Sequence, residues 1–417
     1  MSLPNSLRAL QHRNFRLFLV GQGTSQIGNW VQLIATSWLV YRLSGSTLML
    51  GLSAFSLQIP MLLITPFAGV FIDRLNVRRV LFATNALAMT QSLVMLALMI
   101  SGHIEAWHVV VGNAVLGLGN AFDAPARQAL ISKLLPNRQE LTNAIALNST
   151  VMNGARFIGP MLGGLITATF GEIWSFAVNC VMRLAVISAL RATHITQHVL
   201  SHTRAGVFRQ LVVGIQYAYG FFPSRCALVL LAISSFCLQS YGSLMPWFAS
   251  QRFHGDSRTL GLLYSAAGLG AVCGMLYLAS RNNIRGLFKL IGWHAGIASL
   301  TLMGFSLAPS LWVALPLLFV SSMSMMLTAA STNTVLQSIV PDELRGRVAA
   351  LYVMSFLGMS PLGSLSSGWL AHEIGSQAAL CILAVVGGMA AVVYALYFKR
   401  IRQDILPLYE KLGIPHP

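Results

Sequence analysis

The sequence predicts an all-α polytopic membrane protein of twelve transmembrane helices in two pseudo-symmetric six-helix bundles. Three observations predict it. Of 417 residues, 55% are hydrophobic and only 9% are charged, with a mean hydropathy of +0.69, which leaves too little charge to coat a soluble surface. Uncharged runs of spanning length recur, at 17–41, 43–72, 226–251 and 259–280, and a crossing needs about 20 apolar residues. The two halves of the chain also echo each other.

Taken in order, the expected spans are 15–41, 48–72, 80–102, 106–126, 142–169, 173–191, 225–250, 258–280, 287–307, 311–333, 348–371 and 375–398. The uncharged stretch 290–340 is too long for one crossing, and Ala308-Pro309-Ser310 divides it with a short turn. The basic start runs directly into a full-length span, so no cleavable secretory signal is expected. The domains read as an N-terminal bundle over 1–191, a linker over 192–224, a C-terminal bundle over 225–398 and a tail over 399–417.

An even number of spans puts both termini on one side, and the positive-inside rule makes that side cytoplasmic. Of the 27 lysines and arginines, Arg42, Arg252 and Arg258 alone fall in outer loops, while Arg156 and Arg183 lie within helices. The net charge of +16 is therefore a product of topology. Its scatter over alternate loops, with no basic helix or stripe, excludes a nucleic-acid partner. Trp38, Trp107, Trp174, Trp247, Trp312 and Trp369 fall near expected outer ends, where aromatic belts form. The expected location is the bacterial inner membrane.

The linker carries His194, His198 and His202, followed by an apolar-basic stretch that suits an amphipathic surface helix. Four-residue spacing puts the histidines on one face, but no acid or cysteine accompanies them, so a solvated linker is expected and no metal or cofactor. Cys180, Cys226, Cys237, Cys273 and Cys381 match no zinc or redox spacing and read as small buried residues.

The repeat is visible in the loops. Leu134-Leu135-Pro136-Asn137 leads into span five, and Ile339-Val340-Pro341-Asp342 leads into span eleven. Span five then carries Gly159-Pro160 through Gly164, and span eleven carries Ser360-Pro361 through Gly368. Such a 6+6 repeat is the mark of a carrier that works by alternating access.

Two local patterns stand out. The loop after span two holds Gly69, Asp73, Arg74, Arg78 and Arg79, with Asn76 at a turn position suited to a left-handed backbone. Gly69 permits close helix packing, Asp73 suits a helix N-terminus, and the arginines suit a cytoplasmic latch. Span five holds Gly154, Arg156, Gly159, Pro160, Gly163 and Gly164, small residues that allow helices to approach and a proline that bends one.

The first pattern resembles the signature of the major facilitator superfamily between helices two and three. The second resembles the glycine-proline motif of its antiporters. The segments 15–32, 120–149 and 341–348 resemble the branch containing the enterobactin exporter and related siderophore or drug exporters, and the likeness runs from about 12 to 398. It implies the major facilitator fold, with a cavity lined mainly by spans one, four, seven and ten. The second-half loop keeps Arg281, Arg285 and Lys289 but no acid, so the inner latch is expected to be asymmetric.

Ionisable groups inside a span are costly and are functional candidates by default. Asp123 is the single carboxylate placed inside a helix. It pairs with Arg127, or joins the Asp73/Arg78 latch, or carries the proton that couples transport. Arg156 falls near mid-depth in span five. Arg183, in mid-span six, departs from what the resemblance leads one to expect: either a substrate adaptation, or a snorkelling or paired structural arginine. His294 reads as a packed neutral side chain. Gln22, Asn29 and Gln32 share a face of span one, as Asn113, Asn120 and Asp123 do in span four. With Gln239 and Ser240 in span seven, and Thr328, Ser331 and Thr332 in span ten, they line a cavity or bond helix to helix.

The expectation is a proton-driven antiporter, a monomer in the lipid bilayer with a small-molecule substrate. It exports a polar or anionic metabolite, of siderophore type, because arginines and amides outnumber acids. Multidrug efflux is the alternative, and a non-transporting membrane sensor is a third reading. No Walker, HExxH or Ser/His/Asp pattern supports an enzyme.

Overall fold

The computed structural model describes residues 5–72, 75–135, 138–193, 216, 219–281 and 283–411. The chain is helical throughout these residues, and no strand occurs among them. A short 3-10 turn precedes α1 (Arg13–Ser44), α2 (Thr47–Ile72), α3 (Val77–Ile100), α4 (Ala106–Lys133), α5 (Arg138–Phe170) and α6 (Glu172–Ala192). Further along the chain come α7 (Phe222–Leu238), α8 (Tyr241–Trp247), α9 (Ser257–Ala279), α10 (Leu287–Leu307) and α11 (Leu311–Ile339). Then follow α12 (Asp342–Val353), α13 (Met359–Ile374), α14 (Ser376–Leu396) and α15 (Phe398–Lys411).

Nine helical stretches among the described residues are long and apolar enough to cross a membrane. Helices α1, α4 and α5 are long enough at 32, 28 and 33 residues, given about 1.5 Å per residue. What lowers their hydropathy is polar content: Gln22 to Gln32 in α1, Asn113 to Arg127 in α4, and Asn148 to Arg156 in α5. These are the helices that hold most of the candidate site residues. Many large apolar side chains also point outward, with Val181 67% and Trp312 79% exposed, as a lipid-facing surface requires.

The chain divides into two compact units, one of 1–203 with 249–265, the other of 204–248 with 266–417. In the first unit Phe15, Phe18, Leu81, Leu130 and Leu190 close one end of the bundle, and Leu39, Val40, Met95 and Phe176 the other. In the second, Leu228, Phe288, Ile291 and Leu336 form a core that also takes Ile401 and Ile405 of α15. The segment expected to be a tail thus begins as a packed amphipathic helix.

Repeated local devices appear in both units. A Cβ at Gly117 in α4 would strike the Leu57 carbonyl of α2, and one at Gly270 in α9 the Phe319 carbonyl of α11. Gly171 (φ 89°) separates α5 from α6 as Gly375 (φ 86°) separates α13 from α14, a backbone region open to glycine at little cost.

Span seven is not one helix. It breaks at Gln239–Ser240 between α7 and α8, and ends in a π-helical turn, Phe248–Arg252. Span eleven is likewise interrupted by a π-helical turn at Met354–Gly358. Serines cover the freed backbone groups: Ser235 Oγ donates to the Phe356 carbonyl, Ser240 Oγ to Cys237 O at 2.6 Å, and Ser243 Oγ to Ser240 O at 2.8 Å. A Cβ on Gly363 would collide with the Phe236 carbonyl, so only glycine allows this approach.

Candidate functional site

Polar side chains of α1, α3, α4 and α6 meet inside the first unit in two linked groups. The first is built on Gln32 of α1. Its Nε2 donates to Gln91 Oε1 at 3.0 Å, and its Oε1 accepts from Ser92 Oγ at 2.9 Å and from Asn179 Nδ2. Buried polar groups are costly unless bonded, and here three helices satisfy one another.

The second group is built on Arg183 of α6, which is 6% exposed. Its Nη2 donates to Asn29 Oδ1 at 2.7 Å and its Nη1 to Asn85 Oδ1 at 3.3 Å. Asn85 Nδ2 in turn donates to Asp123 Oδ1 at 3.3 Å, as does Thr84 Oγ1 at the same distance. Asp123 Oδ2 accepts from Arg127 Nη1 at 3.0 Å, one turn along α4. A single carboxylate therefore answers one arginine directly and a second through an amide. Arg183 Nε has no acceptor among the described residues, and neither Asn179 Oδ1 nor Gln22 Oε1 has a donor.

Sequence reasoning passed over Thr84, Asn85, Gln91, Ser92 and Asn179. The available signal was a run of amides and hydroxyls in spans that otherwise need none.

Arg183 is thus hydrogen-bonded to amides of α1 and α3 within the first unit. Asn113 Nδ2 donates to Ser53 Oγ at 2.8 Å and to Ser53 O at 3.2 Å, tying α4 to α2. Asn120 stays half-buried. Gln239 Nε2 reaches Ser235 Oγ at 3.3 Å beside the α7 break. Thr328 and Thr332 are fully buried and bond their own helix at Ser324 O and Thr328 O. His294 Nδ1 pairs with Ser324 Oγ at 3.2 Å.

Arg156 differs from Arg183. It sits half-buried in mid-α5 with no ion pair or hydrogen bond to any described residue. Around it, Gly159 packs on α1 so closely that a Cβ would lie 2.5 Å from Trp30 Cβ, and Gly163 would meet Val31 Cα at 2.9 Å. Gly164 faces α9, where a Cβ would lie 2.5 Å from Ser257 O and 2.9 Å from Gly261 Cα. Ser265 Oγ of α9 adds a bond to Phe157 O at 3.1 Å. Gly154 corrects the expectation of close packing, since a side chain there would meet nothing within 4 Å.

In the loop after α2, Asp73 and Arg74 lie outside the described residues, as do Pro136, Asn137, the linker histidines and residues 412–417. Asn76 corrects the left-handed expectation: at φ −70° and ψ 104° it is extended, and its side chain caps α3 by accepting from Arg79 N at 3.2 Å. Arg78 Nη2 donates to Arg191 O at 2.8 Å, at the open C-terminal end of α6, and not to Asp123. Arg79 is exposed.

Comparisons with known proteins agree with this architecture. A sequence profile described as transmembrane secretion effector matches residues 5–406. The chain is 28% identical to the multidrug efflux pump Tap of Mycolicibacterium fortuitum, covering 93% of this chain and 96% of that one. It is 24% identical to the staphyloferrin A transporter of Staphylococcus aureus, covering 86% and 90%. Among solved structures, a bacterial homologue of the iron transporter ferroportin superposes with a TM-score of 0.71 at 16% identity, covering 93% and 98%. A peptide transporter superposes at 0.73 and 11% identity, covering 94% and 95%. With a profile match over nearly its whole length and this fold, the chain is a multi-pass membrane transporter belonging to the transmembrane secretion effector family of the major facilitator superfamily.

Proposed function

We propose that this chain exports a small polar or anionic metabolite, of siderophore class, from cytoplasm to periplasm by proton antiport. It does so as a monomer with twelve spans in the bacterial inner membrane, both termini cytoplasmic. Bundles over 1–191 and 225–398, joined by a cytoplasmic linker over 192–224 and followed by a cytoplasmic tail over 399–417, alternate access to the substrate.

The observation that carries the substrate class is Arg156, a half-buried cation in mid-helix with no anion to answer it among the described residues. A cation held at membrane depth calls for an anion, and an anionic substrate supplies one. Arg183 carries less of that case, because its guanidinium already donates to Asn29 and Asn85. The staphyloferrin A transporter among the relatives supports the siderophore reading. The Tap pumps support a second reading, multidrug efflux.

Asp123 is the coupling carboxylate in this proposal. When protonated it releases Arg127 and weakens its bonds to Thr84 and Asn85, so the charge state of one acid is felt by α3, α4 and α6. Gly69, Asp73, Arg74, Arg78 and Arg79 form the inner gate, and Gly154, Gly159, Pro160, Gly163 and Gly164 the pliable helix of the antiport cycle.

The deciding experiment is a deletion strain profiled for metabolites in cells and medium under iron limitation. Loss of one anionic chelator from the medium, with its accumulation inside, is the expected result. An unchanged medium with raised sensitivity to cationic drugs would replace this reading with the second one.

A further inference from the structure

Apart from the polar network, the second unit carries a cluster that transport chemistry does not use. At the start of α7, Arg225 Cζ lies 5.2 Å from the Phe222 ring centroid and 4.9 Å from that of Tyr219. From α15, Arg400 Cζ lies 4.4 Å from the same Phe222 ring. The edge of Phe222 meets Tyr397 at 5.8 Å between centroids. Two guanidinium groups thus share one aromatic ring, and neither makes an ion pair with any described residue. Asp404, exposed and one turn along α15 from Arg400, is bridged to neither arginine.

Bringing two like charges onto one ring is unfavourable unless an anion joins them. The position says which anion. Residues 226–251 carry no charge, and neither does α14 from Ser376 to Leu396. Both arginines therefore sit within about a turn of the apolar boundary, at headgroup depth. Beside them α7 exposes Val229 at 52% and α14 exposes Leu396 at 76%, an apolar wall suited to an acyl chain. Tyr219 and Tyr397, also exposed, are amphipathic side chains of the interface.

We propose that Arg225 and Arg400, set on Phe222, form a binding site for the phosphate of an anionic phospholipid, with the acyl chain against α7 and α14. The site depends on the chain lying in a bilayer and not on the transported substrate, so a failed substrate assignment leaves it intact.

The test is native mass spectrometry of the full chain in detergent with equal amounts of dioleoyl-phosphatidylglycerol and dioleoyl-phosphatidylcholine. The wild type is expected to retain the anionic lipid preferentially. R225Q/R400Q is expected to lose about 30-fold of that preference, at the usual contribution of a basic residue near a membrane surface. K399Q/R402Q removes the same charge from exposed neighbours off the ring and is expected to change nothing. Equal losses in both pairs would mean diffuse attraction and overturn the site. Displacement of the lipid by millimolar inorganic phosphate would overturn the lipid as its occupant. Phe222→Leu keeps both charges and removes their platform. Its expected result is a partial loss, and full retention of the preference would overturn the proposal even where R225Q/R400Q does not fold.

Discussion

Arg183 of α6 and Asn29 of α1 are joined by a 2.7 Å hydrogen bond inside the first bundle, with the guanidinium donating to the amide oxygen. The bond places a mid-span arginine among protein acceptors and sets it apart from Arg156, which has none among the described residues. Arg183→Leu strips a donor from both Asn29 and Asn85 and leaves Asp123 with one arginine in place of two. Each stranded acceptor costs about 1–3 kcal/mol. A lowered unfolding midpoint in detergent is expected, with the substrate KM of the surviving protein little changed. A normal midpoint with a raised KM would return Arg183 to the substrate site.

Arg156→Gln should behave in the opposite way. The side chain is half-buried and bonds no described residue, so the unfolding midpoint should hold. Transport of an anionic substrate into everted vesicles should lose at least about tenfold in apparent affinity, the modest end of what losing a partly desolvated charge contact costs. Unchanged affinity would remove the one residue that favours an anion over a neutral or cationic drug.

Much of this fold was legible in the chain because a bilayer leaves few options. Backbone groups must be satisfied within the helix, so apolar length reads out as helices, and α1 to α6 fall where the spans were expected. The helix breaks were harder to foresee. Ser240 and Ser243 bond the backbone at the Gln239–Ser240 break itself, while the Met354–Gly358 turn takes a bond from Ser235 of a neighbouring helix. Nothing local distinguishes such a serine from one bonded to its own turn. The network around Arg183 was half visible. Asn29 and Asp123 were marked by position on their helices, while Asn85 and Asn179 become meaningful when α3 and α6 are seen against α1. Asn76 was misjudged because asparagine suits both a left-handed turn and an N-cap, and the cap won.

The two glycines at the ends of the span-five motif are not equivalent. Gly164→Val would drive a side chain into the Ser257 carbonyl and the Gly261 backbone, where neither partner has a flexible end to move. Folded yield by size-exclusion chromatography should collapse. Gly154→Ala meets open space and gains helix propensity of about 0.5–1 kcal/mol. Its midpoint should hold or rise. A transport defect in a well-folded Gly154→Ala protein would show that the position serves movement and not packing.

Asp123→Asn separates holding the helices from moving protons. The amide is nearly isosteric and still accepts from Thr84 and Asn85 through its oxygen, so the bundle should fold. It has no charge to hold Arg127 and no proton to exchange. In everted vesicles, uptake driven by a pH gradient should fall at least about tenfold, the scale expected when an essential proton carrier is lost. Counterflow between labelled and unlabelled substrate, which needs no gradient, should persist. Arg127→Gln supplies the contrast, since it frees the carboxylate without removing it, and gradient-driven uptake should survive with an altered pH dependence. If Asp123→Asn keeps full gradient-driven uptake, the carboxylate is a structural tie between α3 and α4, and the coupling proton is carried elsewhere.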